Sequence, residues 1–430
     1  MKDYRQEYEK KKRTIPQVLG EIQSGMNIYV GVDMAEPVAI LKELHTIEDR
    51  VRDVTVCSVL GPEDYPHLQD PRGNIRTEPF FYGPFTRRAH GSGNVSVVPH
   101  NISTLYRDRS AWRSPDIFIG VASPMDRHGF LNMGLCISHE QDALEDADIV
   151  ILEVNPNVPV VYGDASVHIS EVDFIVETDR ELPLDPVYES TEVQKTIGGY
   201  IAGLVEDGST IQLGIGGIPD AAAKQLIGKK DLGVHSEMFT PSMVTLYEAG
   251  VITGARKNID RKQMVCTLLT ASPEVFAFVD HNPAVKMMRG SYVNDPFVIM
   301  KNDKMVAING AINVDLTGQI FSETIGARQY SGTGGANDFA TGAHRSRGGK
   351  SIIALPSTKK NGTVSSIEPW MQGGGVVTVQ RQTVDYVVTE YGVAPLSGRS
   401  VKERVENLLA IAHPDFRREL RKEAERLQLW

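Results

Sequence analysis

Cysteine is scarce. The 430 residues hold three, Cys57, Cys136 and Cys266, far apart and with no CxxC pair. That excludes a disulfide framework and gives no zinc pattern. Their apolar neighbours, as in VTVCSVL and MVCTLL, point to buried free thiols. No apolar run approaches the roughly 18 residues of a membrane-spanning helix. Basic excess is lacking too: 45 Lys and Arg face 55 Asp and Glu, for a net charge of −10. With no basic, aromatic-rich stripe, that disfavours a nucleic-acid partner. The opening MKDYRQEYEKKKR mixes acids with bases and leads into no apolar region, so no secretory leader is expected. The expected setting is the cytoplasm, away from any membrane. No metal is expected either.

What is present is a repeating alternation. Short apolar runs (26–32, 54–60, 116–122, 147–155, 173–178) read as strands separated by helical periods. Such spacing predicts an α/β fold with mostly parallel sheets covered on both faces. The polar, proline-containing stretch DRELPLDPVYEST at 180–192 interrupts it, and the alternation then restarts. Two domains follow, 1–185 and 186–430, as the chain's length also favours. In the second half a helix is expected over 193–207. Strands are expected at STIQLGI, EVFAFV, VAINGAINVDL, SIIALP, GVVTV and DYVVTE, and helices in the last forty residues.

The chemistry-bearing motifs lie in that second half. Residues 211–223, IQLGIGGIPDAAA, place Gly214, Gly216, Gly217, Ile218 and Pro219 between a strand and a helix. Glycine permits a tight turn and close backbone approach, and a helix N-terminus offers N–H groups to an anion. The spacing is not GxGxxG, but an acidic residue about twenty positions on, Glu237, leaves a dinucleotide site open, and a turn that is only structural also fits. Glu237 follows in LGVHSEMF, in an apolar strand end where an unpaired carboxylate is costly. Such a residue is a nucleophile or base beside a large ligand, or else a satisfied structural carboxylate. His235, two residues earlier, points to the same side of an extended chain. It either orients the carboxylate or is a satisfied core histidine. The block 330–358 brings Gly332, Gly334 and Gly335 together with His344, Arg345, Arg347 and Lys350. Backbone donors plus cations suit phosphate groups, and Lys350, next to a strand, is the first candidate. Arg87 and Arg88 beside an aromatic cluster read either as a wall for an acyl end or as a core–surface boundary.

Together these blocks resemble the acetyl-CoA hydrolase/transferase family, in the branch of 4-hydroxybutyrate and butyryl-CoA:acetate CoA-transferases. The resemblance runs nearly end to end. ASPMDRHGFLNMG, ILEVNPNVPVVYGDASVHIS, LGIGGIPDA, LGVHSEMF, INVDLTGQIFSE, SGTGGANDF, GGKSIIALPST, VVTEYGVAPLSGRS and IAHPDFR carry it in order. It implies two related α/β domains with the active site in a cleft between them. It implies Glu237 as the nucleophile and the GIGGIP and SGTGG blocks as lining for coenzyme A. Coenzyme A and acyl-CoA would be substrates, with no tightly bound cofactor, a small carboxylic acid as second substrate, and a homodimer or larger assembly. Departures from the family pattern fall at Thr240 and Pro241 after the nucleophile, and at Val160 and Ser366 where relatives often carry arginine.

Overall fold

A computed structural model of the chain describes residues 4–70, 72–186, 189–214, 216–371 and 373–429. The chain divides into two compact units, Met1–Asp185 with Val265–Tyr292, and Pro186–Met264 with Val293–Trp430.

The first unit is built on six parallel strands: β1 (Asn27–Val32), β2 (Val54–Val59), β3 (Ile75–Thr77), β4 (Ile117–Ala122), β5 (Ile149–Val154) and β6 (Phe174–Glu177). Their order across the sheet is β3-β2-β1-β4-β5-β6. The strands read as continuous apolar runs because the sheet is buried on both faces: Ile28, Val30, Val56, Ile117, Ile119 and Ile151 share one core, and Tyr29, Phe118 and Leu152, which alternate with them, are buried too. All three cysteines are buried and none forms a disulfide.

The second unit repeats the plan. Its sheet holds β7 (Thr210–Leu213), β8 (Gly233–Val234), β9 (Met305–Gly310), β10 (Lys350–Ala354), β11 (Tyr386–Thr389) and β12 (Gly392–Pro395). The order is β8-β7-β9-β10-β11-β12, parallel except for the final β11–β12 hairpin. The order reverses direction between β7 and β9. In open α/β sheets, ligands sit outside the carboxyl ends of the strands at such a reversal. Helix α1 (Glu192–Leu204) lies against α2 (Gly217–Lys224), and Gly198 allows it: a Cβ there would meet the Ala221 backbone at 2.8 Å.

Three sequence expectations change. EVFAFV is not a strand, for Pro273–Val279 is a helix. Pro273 suits a first helical turn, and the buried Val275 and Val279 lie one turn apart. GVVTV contributes only an isolated bridge from Val379 to Ile320. The second domain was drawn as one continuous span, 186–430, yet Val265–Tyr292 belongs with the first unit. Backbone hydrogen bonds hold it there: Ile137 N–H to Thr267 O (2.9 Å), Leu269 N–H to Leu135 O (3.0 Å) and Met287 N–H to Tyr162 O (2.8 Å).

Candidate active site

Glu237 is delivered by the shortest strand of the second sheet. β8 pairs with β7 through Gly233↔Thr210 and Val234↔Ile211, and His235 N–H extends the ladder to Ile211 O at 3.2 Å. The chain then leaves the sheet at its carboxyl edge. Ser236 Oγ accepts from Leu213 N–H at 3.4 Å, and Glu237 occupies the bend before Met238–Phe239. Thr240 and Pro241 then open α3 (Pro241–Glu248), with Pro241 in the first turn, where its missing N–H costs nothing. Lys257 supports the strand from beneath. Its ammonium donates to Val234 O and Gln263 O, each at 2.8 Å, and its stem fills the place of a side chain at Gly233.

The Glu237 carboxylate meets two neutral donors. Asn294 Nδ2 lies 2.9 Å from Oε2, and the Gly335 backbone N–H donates to the same carboxyl group. Asn294 is fully buried. Gly335 precedes α4 (Ala336–Arg345), so the carboxylate faces the positive end of a ten-residue helix. Burial raises the Glu237 pKa, and these two hydrogen bonds offset part of the rise. The result is a carboxylate more basic than an ordinary one and held by groups that do not neutralise it.

The glycines of SGTGG serve different needs. Gly334 sits at φ +57°, in the left-handed region. Gly335 has an ordinary backbone, φ −91°, but a Cβ there would lie 1.9 Å from Glu237 Oε2 and 2.3 Å from Asn294 Nδ2. It is glycine for room. Glu323 ties down this loop, accepting from Thr333 Oγ1 (3.3 Å), Gln329 Nε2 (3.2 Å) and Thr378 Oγ1 (3.1 Å). Gly332 is buried within it.

The GIGGIP turn leaves the carboxyl end of β7. Gly214 N–H bonds Ile308 O at 2.8 Å, and Gly216 has φ +117°. Gly217 starts α2 beneath the Gln194 side chain, and Ile218 and Pro219 are buried, so among the described residues of the turn the glycines offer backbone to a ligand and Ile218 and Pro219 do not. Asp220 lies in the first turn of α2. It accepts from Ser242 Oγ at 3.1 Å and pairs with Lys224 at 2.8 Å, which ties this turn to α3 just after the Glu237 bend.

Lys350 does not join this group. It is the first residue of β10, at the opposite end of the sheet. Its ammonium lies 2.8 Å from both Leu204 O and Glu206. That position is roughly 13 Å along the strand from the carboxyl end. His344 and Arg345 form the far end of α4 and Arg347 follows it, about 15 Å from Gly335. There His344 binds Asp385 (2.7 Å) and Arg347 pairs with Asp303. In the first unit, Arg88 pairs with Asp64 and lies over Phe85, and Arg87 reaches Tyr82 O. Val160 N–H is bound by Asp280, and Ser366 is buried with its backbone paired to Ser357 and Val314.

Sequence reasoning missed Asn294 and Glu323. Asn294 precedes Asp295, whose side chain caps the short helix Pro296–Ile299, so NDP reads as a turn and cap. Among the described residues no group of three or more His, Cys, Asp or Glu could hold a metal ion, and no helix is long and apolar enough to cross a membrane.

Residues 1–185 match the acetyl-CoA hydrolase/transferase N-terminal domain and 272–424 the C-terminal domain. The chain is 39% identical to 4-hydroxybutyrate coenzyme A transferase of Clostridium kluyveri, over 97% of each chain. It is 38% identical to succinyl-CoA:cyclohexane-1-carboxylate CoA transferase of Geobacter metallireducens, over 99% of this chain and 98% of that one. The crystal structure of RipA from Yersinia pestis superposes with a TM-score of 0.94 at 35% identity, over the whole of both chains.

Proposed function

The chain belongs to the acetyl-CoA hydrolase/transferase family, and from that membership we propose an acyl-CoA:carboxylate CoA-transferase working through a thioester on Glu237. The substrates are a short-chain acyl-CoA and a carboxylic acid such as acetate. The observation that carries the reading is the Glu237 carboxylate set between two neutral donors at a helix N-terminus.

The steps follow from that carboxylate. Glu237 attacks the acyl carbonyl of the thioester, forming a mixed anhydride and expelling coenzyme A thiolate. The thiolate attacks the glutamyl carbonyl, giving a glutamyl-CoA thioester and releasing the first acid as its carboxylate. The second carboxylate attacks this thioester and regenerates an anhydride and the thiolate. Attack of the thiolate on the new acyl carbonyl then yields the new acyl-CoA and frees Glu237. This is nucleophilic catalysis with ping-pong turnover. A carboxylate suits it because its anhydride keeps the acyl group activated, whereas a hydroxyl would form a stable ester. Each addition develops an oxyanion, and preorganised donors such as the Gly335 N–H and the Asn294 amide suit its stabilisation. The backbone of Gly214, Gly216, Gly217 and Gly334 is the proposed surface for coenzyme A, with the buried Gly332 in the same loop as Gly334. The proposed assembly is a cytoplasmic homo-oligomer, which light scattering on the purified protein checks.

The test of the reaction supplies butyryl-CoA or acetyl-CoA with a panel of acids. New thioesters matching each added acid are expected. Release of coenzyme A with no acid added, and no new thioester, would make the protein a hydrolase instead.

A further inference from the structure

Resting on the reading of Glu237 as the nucleophile, we propose that His235 is a positioning residue for it, acting through the Val293 carbonyl and Asn294. The ring is fully buried, and its Nε2 lies 2.8 Å from Val293 O. A carbonyl only accepts, so Nε2 carries the proton. Val293 adjoins Asn294, whose Nδ2 reaches Glu237 Oε2 at 2.9 Å. A closed circuit results. It runs from Glu237 back along two residues to the His235 ring, across to Val293, on to Asn294, and back to the carboxylate. Two segments nearly sixty positions apart in sequence are thereby held in one register.

The same ring faces the second support of the carboxylate. Its centroid lies 6.3 Å from that of Phe339, on the first turn of α4, whose leading Gly335 donates to Glu237. His235 therefore touches both elements that supply the nucleophile's donors. It is not a counter-charge. Burial, with the nearby Lys257 charge, pushes its pKa down to about 4, so the ring is neutral across the physiological range. Its contribution is geometric, and geometry matters here: misplacing reacting groups by about an ångström can cost on the order of 100-fold in rate.

The test uses the full-length protein and four variants: His235→Leu, His235→Gln, Asn294→Ala and the double variant His235→Leu/Asn294→Ala. For each, kcat, KM for the acyl-CoA and thermal midpoint are measured. His235→Leu is expected to lower kcat about 10- to 100-fold with KM within about twofold. His235→Gln keeps an N–H donor near the Nε2 position and is expected to recover most of the rate. Because His235 acts through Asn294, His235→Leu should cost little more in the Asn294→Ala background. Fully additive losses, or a Leu variant that loses midpoint while its folded fraction keeps full kcat, would reduce His235 to a packing residue and overturn the proposal. If the Leu variant does not fold, His235→Asn, polar but too short to reach Val293, replaces it under the same criteria. Trapping of the thioester on wild-type Glu237 is run alongside. Absence of label at Glu237 would refute the nucleophile itself, and that failure is distinct from additivity between His235 and Asn294.

Discussion

Two glutamates of the second unit sit at opposite ends of one sheet and in opposite electrostatic states. Glu206, near the amino ends of the strands, is flanked by Lys304 and Lys350, each at 2.8 Å, which lower its pKa to about 2. Glu237, at the carboxyl ends, is met among the described residues by an amide and a backbone N–H, and burial raises its pKa. The first is a clamped, half-exposed anion, of small worth to stability because solvent screens such pairs. The second is held by uncharged donors, as its proposed attack on a thioester requires. Ammonium groups like those on Glu206 would make Glu237 a better structural anion and a poorer nucleophile.

The comparison breaks most severely at the nucleophile. Glu237→Gln should lower transfer by on the order of 10⁴-fold or more, as removal of a covalent nucleophile does. The same change should leave the thermal midpoint at pH 7 unchanged or higher, since a neutral amide replaces a carboxylate whose charged form is penalised by burial. A variant with full turnover, or one that unfolds, would contradict the contrast. Gly335→Ala comes next. The Cβ has no room beside Glu237 and Asn294, so kcat should fall roughly 100- to 1000-fold, the range for losing an oxyanion donor. Its backbone angles suit alanine, so circular dichroism should stay native.

The pH dependence separates the two acids by sign. The raised pKa of Glu237 places the acidic limb of kcat above pH 4.5, the ordinary glutamate value, and activity falls as pH drops through it. For stability, Glu237 contributes most below its unfolded pKa, and that contribution is lost as pH rises through its folded one. Glu206 behaves oppositely. Its stabilisation is present above about 4.5 and is lost as pH falls toward 2. Comparing midpoints of Glu237→Gln and Glu206→Gln with the parent between pH 3 and 8 should show differences of opposite slope.

Lys350 carries the smallest expected effect. Lys350→Ala should leave KM for every CoA ester unchanged and cost about 1 kcal/mol of stability or less. A clear rise in KM would return Lys350 to the ligand site that its sequence position first suggested.

That residue shows where sequence reasoning stops. Glu237 and the glycine blocks were legible because each breaks a local rule, a carboxylate in an apolar strand end and glycines where strand meets helix. Parallel strands were legible from apolar runs alone. Adjacency to a glycine-rich loop does not tell which end of a strand a residue takes, and Lys350 opens β10, at the end away from Glu237. Asn294 was invisible because its partner lies 57 residues earlier in the chain and its neighbours spell a turn. EVFAFV misled because β-branched and aromatic residues outweighed the proline that starts a helix. The reassignment of Val265–Tyr292 to the first unit rests on backbone pairing, which leaves no side-chain signature.

The most direct measurement of the central claim is chemical. The protein is incubated with an acyl-CoA and no acceptor acid, reduced with borohydride, digested and analysed by mass spectrometry. Reduction converts a glutamyl thioester to an alcohol, so the mass change is expected on the peptide containing Glu237, and it should be absent in Glu237→Gln. A modified peptide elsewhere in the chain, or turnover with no trapped residue, would contradict the assignment of Glu237 as the nucleophile.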